Sequence, residues 1–130
     1  MIDYTYAGIC PVCNFVYLCC TCRTTIGIKH DEKKLRVDLI SSEAIEELGK
    51  VLTYGCEKYG DRNWEKGIKF SRVYAAILRH LVLGWWQGKD NDEESGINHL
   101  SHALTGLMFL ITYVKRDMKE WDDRPNRSNT

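Results

Sequence analysis

Apolar residues recur along residues 42–121 with the 3.6-residue spacing of amphipathic helices. The pattern predicts a first helix over residues 42–59, where Ser41 or Ser42 can cap the start and Gly60 stops the end. It predicts a second helix over residues 71–88 and a third from residue 97 to beyond residue 114. Three helices joined by short polar loops indicate an all-α, antiparallel helical bundle.

The periodicity also predicts which helix faces form the core. On the second helix the predicted core face is Tyr74, Leu78, Leu81 and Trp85. On the third helix it is Ile97, Leu100, Leu104, Leu107, Ile111 and Val114. Such a bundle is thin, so the surplus apolar surface predicts a homo-oligomer, either a dimer or a tetramer.

The 130 residues divide into three parts by composition. Residues 1–30 are rich in cysteine and show no helical period, so they form a predicted N-terminal arm. Residues 31–121 form the predicted helical domain, and residues 122–130 form a predicted disordered tail.

Charge narrows the possible partners. Charged residues make up 28% of the chain and balance to a formal net charge of +0, which argues against nucleic acid as a partner. No apolar run reaches the length of about 18 residues that a membrane helix needs, so no membrane partner is expected. The first residues lack a signal-peptide pattern, and we expect a cytoplasmic protein.

Carboxylates at helical spacing form the first candidate metal site. Glu43, Glu46 and Glu47 lie on the first predicted helix, and two of them on one face can bind a hard divalent cation. The alternative is structural: Glu43 complements the helix dipole, and Glu46 pairs with Lys50. Spacing alone favours the structural interpretation.

Histidines and acids form a second candidate site across the second and third helices. His99 and His102 stand at i, i+3 on one helix, and His80 lies on the helix before it. Asp92 and Glu94, in the loop between these helices, can supply oxygen ligands or a general base. His80 also has small neighbours one turn away on each side, Ala76 and Gly84, which leave room for a close approach.

A nucleotide site needs cations for phosphates and a ring or an amide for the base. Asn63 and Trp64 adjoin Arg62 on one predicted loop. The candidate nucleotide-binding residues are Lys34, Arg36, Lys58, Asn63, Trp64 and Arg79. The alternative is that Trp64 fixes the loop to the core and the cations are solvated.

The arm carries two C-x-x-C pairs. Cys10 and Cys13 form one pair, and Cys19 and Cys22 form the other, a spacing that favours a structural zinc site. The gap between the pairs is short and Cys20 offers a competing ligand, so free thiols in a hydrophobic arm are the alternative.

Two stretches resemble a known family: KKLRVDLISSEAIEELGKVLTYGCEKYGDRNWEKG and SRVYAAILRHLVLGWWQGKDNDEESGINHLSHAL. Together they are similar to the phage dATP/dGTP diphosphohydrolases, also called MazZ, a branch of the MazG-like all-α nucleoside triphosphate pyrophosphohydrolases. The resemblance covers roughly two thirds of the chain, from about residue 29 to about residue 116.

The resemblance implies an oligomeric helical enzyme that uses Mg²⁺ or Mn²⁺ to hydrolyse a purine deoxynucleoside triphosphate, dGTP and possibly also dATP or GTP, to the monophosphate and pyrophosphate. It also implies phage origin, action in the host cell cytoplasm, and dGMP that feeds synthesis of 2-aminoadenine nucleotides. The wider MazG pattern has E-x-x-E on one helix and E-x-x-D on the next.

In this chain Arg79 and His80 stand at the first acidic positions of that pattern, and His99-x-x-His102 replaces the second pair. The catalytic metal is therefore expected either on the glutamates of the first helix with the Asp92 and Glu94 loop, or on a site that includes the histidines. Two other functions remain open: a zinc-ribbon adaptor with a helical scaffold, and a phosphohydrolase that releases triphosphate or single phosphates.

Overall fold

The computed structural model describes residues 31–125, and residues 1–30 and 126–130 lie outside this part. The chain divides into two compact units, Met1–Arg36 and Val37–Thr130, and every helix given below belongs to the second unit. The zinc site predicted on the cysteines of the arm lies outside the described residues and stays a prediction.

The second unit is built from three α-helices. They are α1, Ser42–Tyr59, α2, Phe70–Leu78, and α3, His99–Lys115. The second helix continues beyond Leu78 as a π-helical turn over Arg79–Gly84 and a 3-10 turn over Trp85–Gln87. Short 3-10 turns cover Val37–Leu39, Asn63–Lys66 and Lys119–Trp121. Residues 31–125 contain no strand, so the predicted all-α class is confirmed there, while the antiparallel order of the helices stays a prediction.

Local sequence signals set the bounds of α1. The Ser41 side chain accepts a hydrogen bond from the backbone N–H of Ala44, so it caps one of the amides that the first turn leaves unpaired. Glu43 adds a negative charge in the first turn. The helix ends before Gly60, whose φ of 88° is easily reached only by glycine. The predicted bounds of this helix are therefore confirmed.

The core lies between α2 and α3, and it uses faces other than those predicted. The buried apolar residues are Phe70, Val73, Ile77, Ala103 and Tyr113. The predicted core face of the second helix is confirmed at Leu81, which packs against the core. It is wrong at Tyr74, which is 56% exposed, because the buried face of α2 is displaced by one residue. The predicted core face of α3 is also wrong within a single chain, because most of its predicted residues are exposed: Leu100, Leu104, Leu107, Ile111 and Val114.

Small side chains explain why α3 turns this face toward α2. A Cβ atom added to Gly106 would stand 2.6 Å from Cγ1 of Ile77, so the two helices approach closely at this point. Ala103, which lies one turn before Gly106 on the same side of α3, is also buried. Close packing selects small residues, and the larger leucines are left on the outer side of the helix.

Residues just beyond Trp121 contact the start of α2. The Asp123 carboxylate accepts hydrogen bonds from the backbone N–H of Ser71 at 2.9 Å and from its hydroxyl at 2.6 Å. The described part of the predicted tail, residues 122–125, thus includes a capping contact. Among residues 31–125, none of the helices combines the length and the apolar character needed to cross a membrane.

Candidate metal and phosphate site

Three histidines converge from two elements of the second unit. His80 lies in the π-helical turn, His99 begins α3, and His102 follows one turn later. The Nδ1 atoms of His80 and His99 are 2.9 Å apart. The rings of His80 and His102 are stacked, with centroids 4.4 Å apart and an interplanar angle of 7°.

A glycine admits the buried His99 ring. Gly84 closes the π-helical turn, and a Cβ atom added there would stand 2.6 Å from Cδ2 and Nε2 of His99. The predicted close approach at Gly84 is thus confirmed, with the ring of His99 as the neighbour. π-Helical turns occur mostly as single turns inside α-helices, frequently at functional sites.

The loop before α3 brings Asp92 to the histidines through Ser95. One oxygen of Asp92 accepts hydrogen bonds from the backbone N–H of Ser95 at 3.0 Å and from its hydroxyl at 2.9 Å. The same hydroxyl lies 2.7 Å from Nε2 of His102. Backbone hydrogen bonds from Asp92 to Ile97 and from His99 to Asp90 hold the loop against the helix start.

Burial and proximity keep these groups in the states that bind metal ions. Burial, followed by the neighbouring His102, lowers the pKa of His80 to about 4, against an opposing effect of Asp92. Burial also lowers the pKa of His102. Burial raises the pKa of Asp92, but the two hydrogen bonds from Ser95, together with His102 and His80, lower that pKa overall. Near neutral pH, His80 and His102 are therefore uncharged and Asp92 is ionised.

His80, Asp92 and His99 each offer one ligand atom, and these atoms all lie within 4.8 Å of one another. Among residues 31–125 no other group of three histidine, cysteine or acidic side chains is this close. Two imidazoles and one carboxylate form a donor set that suits a divalent transition metal ion. The cluster therefore fits a metal ion by its chemistry.

A pocket of about 290 Å³ opens beside this cluster. Its lining residues are Arg79, His80, Leu83, Gly84, Lys89, Asp92, Glu93 and His99. Arg79 was a predicted nucleotide-binding residue, and Lys89 was missed, although it follows the end of the second helix directly. Two cations beside a metal-type donor set are an arrangement that suits phosphate oxygens.

The predicted glutamates of α1 lie elsewhere on the second unit. Glu43 accepts hydrogen bonds from Ser41 and Ser42. Glu46 pairs with Lys50 at 3.2 Å, which is the ion pair predicted for it as the alternative to metal binding. Glu47 pairs with Lys50 at 2.7 Å and accepts a hydrogen bond from Ser101 of α3. None of the three belongs to the close histidine–acid group, and their metal-binding role stays a prediction.

Glu94 and Lys58 pair with each other. The Nζ atom of Lys58 lies 2.5 Å from a carboxylate oxygen of Glu94, and the Tyr54 hydroxyl donates to the same oxygen. The Lys58 contact first, and then the Tyr54 hydrogen bond, lower the pKa of Glu94. This ion pair joins α1 to the loop that carries Asp92, and Glu94 lies two residues after Asp92 in that loop.

The other predicted nucleotide-binding residues of the second unit, Lys58, Asn63 and Trp64, do not line this pocket. The Trp64 ring stacks on Phe109 with centroids 4.6 Å apart, and Tyr113 donates a hydrogen bond to the Trp64 carbonyl. Asn63 is half-buried beside it in the same 3-10 turn. Lys34 and Arg36 belong to the first unit. Their nucleotide-binding roles stay predictions.

Fold and site together describe an all-α protein with a two-histidine, one-carboxylate cluster next to a pocket whose lining includes Arg79 and Lys89. The chain belongs to the family described as dATP/dGTP diphosphohydrolase, N-terminal, whose sequence model matches residues 24–124. The resemblance to the dATP/dGTP diphosphohydrolases is therefore confirmed.

A curated relative from Salmonella phage PMBT28, named dATP/dGTP diphosphohydrolase, is 40% identical over 98 residues. The match covers 75% of this chain and 33% of the relative, so the chain spans about a third of that protein's length. No solved structure matches the chain.

Proposed function

We propose that this chain hydrolyses a purine deoxynucleoside triphosphate between its α- and β-phosphates and releases the monophosphate and pyrophosphate. The observation that carries the proposal is the pocket in which Arg79 and Lys89 flank the cluster of His80, Asp92 and His99. Family membership and the name of the phage relative support dGTP and dATP as the substrates, with GTP as a further candidate.

In the proposed site, some residues bind the charged phosphates and others orient the reacting groups. Arg79 and Lys89 bind the phosphate oxygens, and hydrogen bonds from charged groups are stronger than those from neutral ones. His80 stays neutral, so one of its ring nitrogens is available to bind a metal ion or to accept a proton. Ser95 holds Asp92 and His102 in place. Positioning and charge neutralisation carry most of the rate in this type of reaction.

A divalent ion, Mg²⁺ or Mn²⁺, belongs to the proposal. When bound, it supplies charge neutralisation of the phosphates and lowers the pKa of a coordinated water. His80, Asp92 and His99 offer the donors that line the pocket. The alternative ligand set, expected from the sequence, consists of Glu43, Glu46 and Glu47 with Asp92 or Glu94, and His102 is a further candidate.

The same proposal includes the use of the product and the assembly of the protein. The dGMP product would feed the synthesis of 2-aminoadenine nucleotides in the cytoplasm of a phage-infected host. The active form is a homo-oligomer in which a second copy covers the exposed apolar face of α3. The exposed fractions on this face are 42% at Leu100, 45% at Leu107 and 61% at Ile111, in support of such a contact.

Product analysis tests the proposed reaction. The full chain is incubated with dGTP, dATP or GTP and with Mg²⁺ or Mn²⁺, and the nucleotides are resolved by ion-exchange chromatography beside a pyrophosphate assay. We expect dGMP and pyrophosphate in equal amounts, and no product in EDTA. Triphosphate or single phosphates as products, or no consumption with either metal, would contradict the proposal.

Two pocket variants locate the reaction. Arg79→Gln and Lys89→Gln each remove one cation, and we expect each to lower kcat/KM by about tenfold or more, because a hydrogen bond to a charged group contributes about 1.5–3 kcal/mol. Lys115→Gln is the matched control, since Lys115 is exposed at the end of α3 and does not line the pocket. Equal effects of all three variants would show that the pocket is not the site.

A further inference from the structure

We propose that His80, His99 and Asp92 hold one divalent first-row transition ion of the Mn²⁺ type, with both histidines bound through a ring nitrogen. This assignment rests on the proposed function and names the ion and ligands of its site. It places the ion in the pocket rather than on the glutamates of α1, and it predicts a preference for Mn²⁺ over Mg²⁺.

The contact between the two imidazoles requires something between them. The Nδ1 atoms of His80 and His99 are 2.9 Å apart, which is a hydrogen-bond distance. Without a metal ion, the Nδ1–H group of one ring donates to the lone pair on Nδ1 of the other. A metal ion can take the place of this hydrogen bond when the proton moves to Nε2 of its own ring, which leaves both Nδ1 lone pairs available.

The chemistry of the donors selects the class of ion. Mg²⁺ prefers oxygen ligands and keeps several waters, whereas imidazole nitrogen suits transition metal ions. Two histidines and one carboxylate, with open positions left over, form the donor set found in octahedral non-haem metal sites. The open positions face a pocket that also holds Arg79 and Lys89, so phosphate oxygens can complete the shell.

The protein holds the donors in place without a ligand. His99 is only 8% exposed, and its ring lies where a side chain at Gly84 would otherwise stand. Asp92 is fixed by two hydrogen bonds from Ser95. Groups that are already oriented lose less entropy when they bind an ion.

Pulsed electron paramagnetic resonance on Mn²⁺ bound to the full chain tests the assignment. Mn²⁺ is the better probe than Zn²⁺, because thiolates of the arm would compete for zinc. Bound Mn²⁺ is counted from the loss of the free-ion signal, and spin-echo modulation reports whether nitrogen is directly coordinated. We expect nitrogen coupling in the natural chain, and no loss of bound Mn²⁺ in a tenfold excess of Mg²⁺.

Two variants locate the ion. His99→Gln should weaken Mn²⁺ binding by about 100-fold, and Glu47→Gln should leave the nitrogen coupling unchanged, with circular dichroism confirming that both are folded. Oxygen-only coordination in the natural chain, or loss of Mn²⁺ in Glu47→Gln but not in His99→Gln, would overturn the assignment. Hydrolysis of dGTP with oxygen-only coordination would still leave the proposed function standing. Nitrogen coupling without hydrolysis would leave the metal site standing and remove the function.

Discussion

The Ser95 hydroxyl lies 2.7 Å from Nε2 of His102 and 2.9 Å from an oxygen of Asp92, and these two contacts fix the tautomer of the histidine. The ionised Asp92 can only accept, so the hydroxyl proton points to it. The hydroxyl oxygen must then accept from His102, which carries its proton on Nε2 and leaves Nδ1 with a lone pair. Ser95 is thus a positioning residue that acts through His102.

Removing the hydroxyl tests this relationship. Ser95→Ala should mix the two tautomers of His102 and lower kcat by about tenfold, since partners of this kind typically change activity by about 10- to 100-fold. Nitrogen-15 NMR of labelled histidine measures the tautomer directly. Ser95→Thr keeps the hydroxyl and should restore both the Nε2–H tautomer and the rate. An Nδ1–H tautomer in the natural chain would contradict the assignment.

The second prediction concerns the room that Gly84 gives to His99. In Gly84→Ala the new methyl group would stand 2.6 Å from the ring, so His99 must move away from His80. We expect Mn²⁺ affinity to fall by about tenfold or more, measured by titration of the free-ion signal.

Gly49 supplies the matched control for this substitution. It lies inside α1 and has no atom within 4 Å of an added Cβ. Gly49→Ala should leave Mn²⁺ affinity unchanged and raise the free energy of unfolding by about 0.5–1 kcal/mol. Unchanged Mn²⁺ affinity in both Gly84→Ala and Gly49→Ala would show that Mn²⁺ binding does not depend on the position of the His99 ring.

The third prediction is a dependence of stability on pH at the start of α2. The hydrogen bond from the Ser71 hydroxyl, followed by the one from its backbone N–H, lowers the pKa of Asp123. Because the folded-state pKa lies below the unfolded value, this contribution to stability is present above the unfolded pKa of about 4 and is lost as pH falls through the folded-state pKa.

Thermal melts between pH 2 and pH 7 measure this contribution. Asp123→Asn keeps an acceptor without the charge, so Tm should fall at neutral pH and converge with that of the natural chain in acid. Glu57→Gln, an exposed change on α1, should shift Tm little at either pH. A constant Tm difference for Asp123→Asn across the range would contradict the linkage.

The fourth prediction separates packing from nucleotide binding at Trp64. Stacking on Phe109 predicts that Trp64→Ala lowers the free energy of unfolding by about 3 kcal/mol, as loss of a packed aromatic side chain does. Trp64→Phe keeps a stacked ring and should retain both stability and the KM for dGTP. A raised KM for dGTP in a stably folded Trp64→Phe variant would indicate that Trp64 binds the nucleotide.

The fifth prediction concerns the outer face of α3. Ile111→Glu places a charge on the exposed apolar surface, and we expect it to dissociate the proposed oligomer without unfolding the chain. Light scattering coupled to size exclusion measures the mass. Thr53→Glu, an exposed position on α1, is the control and should leave the mass unchanged. A monomeric natural chain would remove the proposed assembly.

Local signals in the sequence predicted the helices well. The bounds of α1 follow from the Ser41 cap and from Gly60, and both effects act within a few residues. His99 and His102 share a helix, so their proximity also follows from spacing alone. The convergence of Asp92 on the same site was predictable because its loop is short and begins and ends near the two helices.

The faces of the helices and the exact neighbours could not be predicted in the same way. Periodicity identifies an apolar face on α3, but it does not tell whether another helix or another copy covers that face. The contact at Gly106 decides which side meets α2, and it depends on the neighbouring helix. Lys89 was missed because its place in the pocket depends on how the second helix ends after Gly84.

The π-helical turn over Arg79–Gly84 determines the structural effect of a one-residue deletion in this segment. A π turn holds about one residue more than an α turn, so deleting a single residue such as Val82 would let the helix close in regular α geometry. The residues beyond the deletion, Gly84 among them, would then keep their orientation relative to the helix before the turn. The same deletion in a regular α-helix would rotate every later residue by about 100°. A one-residue gap in this segment is therefore compatible with the same site, whereas the same gap in α1 or α3 would turn one helix face away from its neighbours.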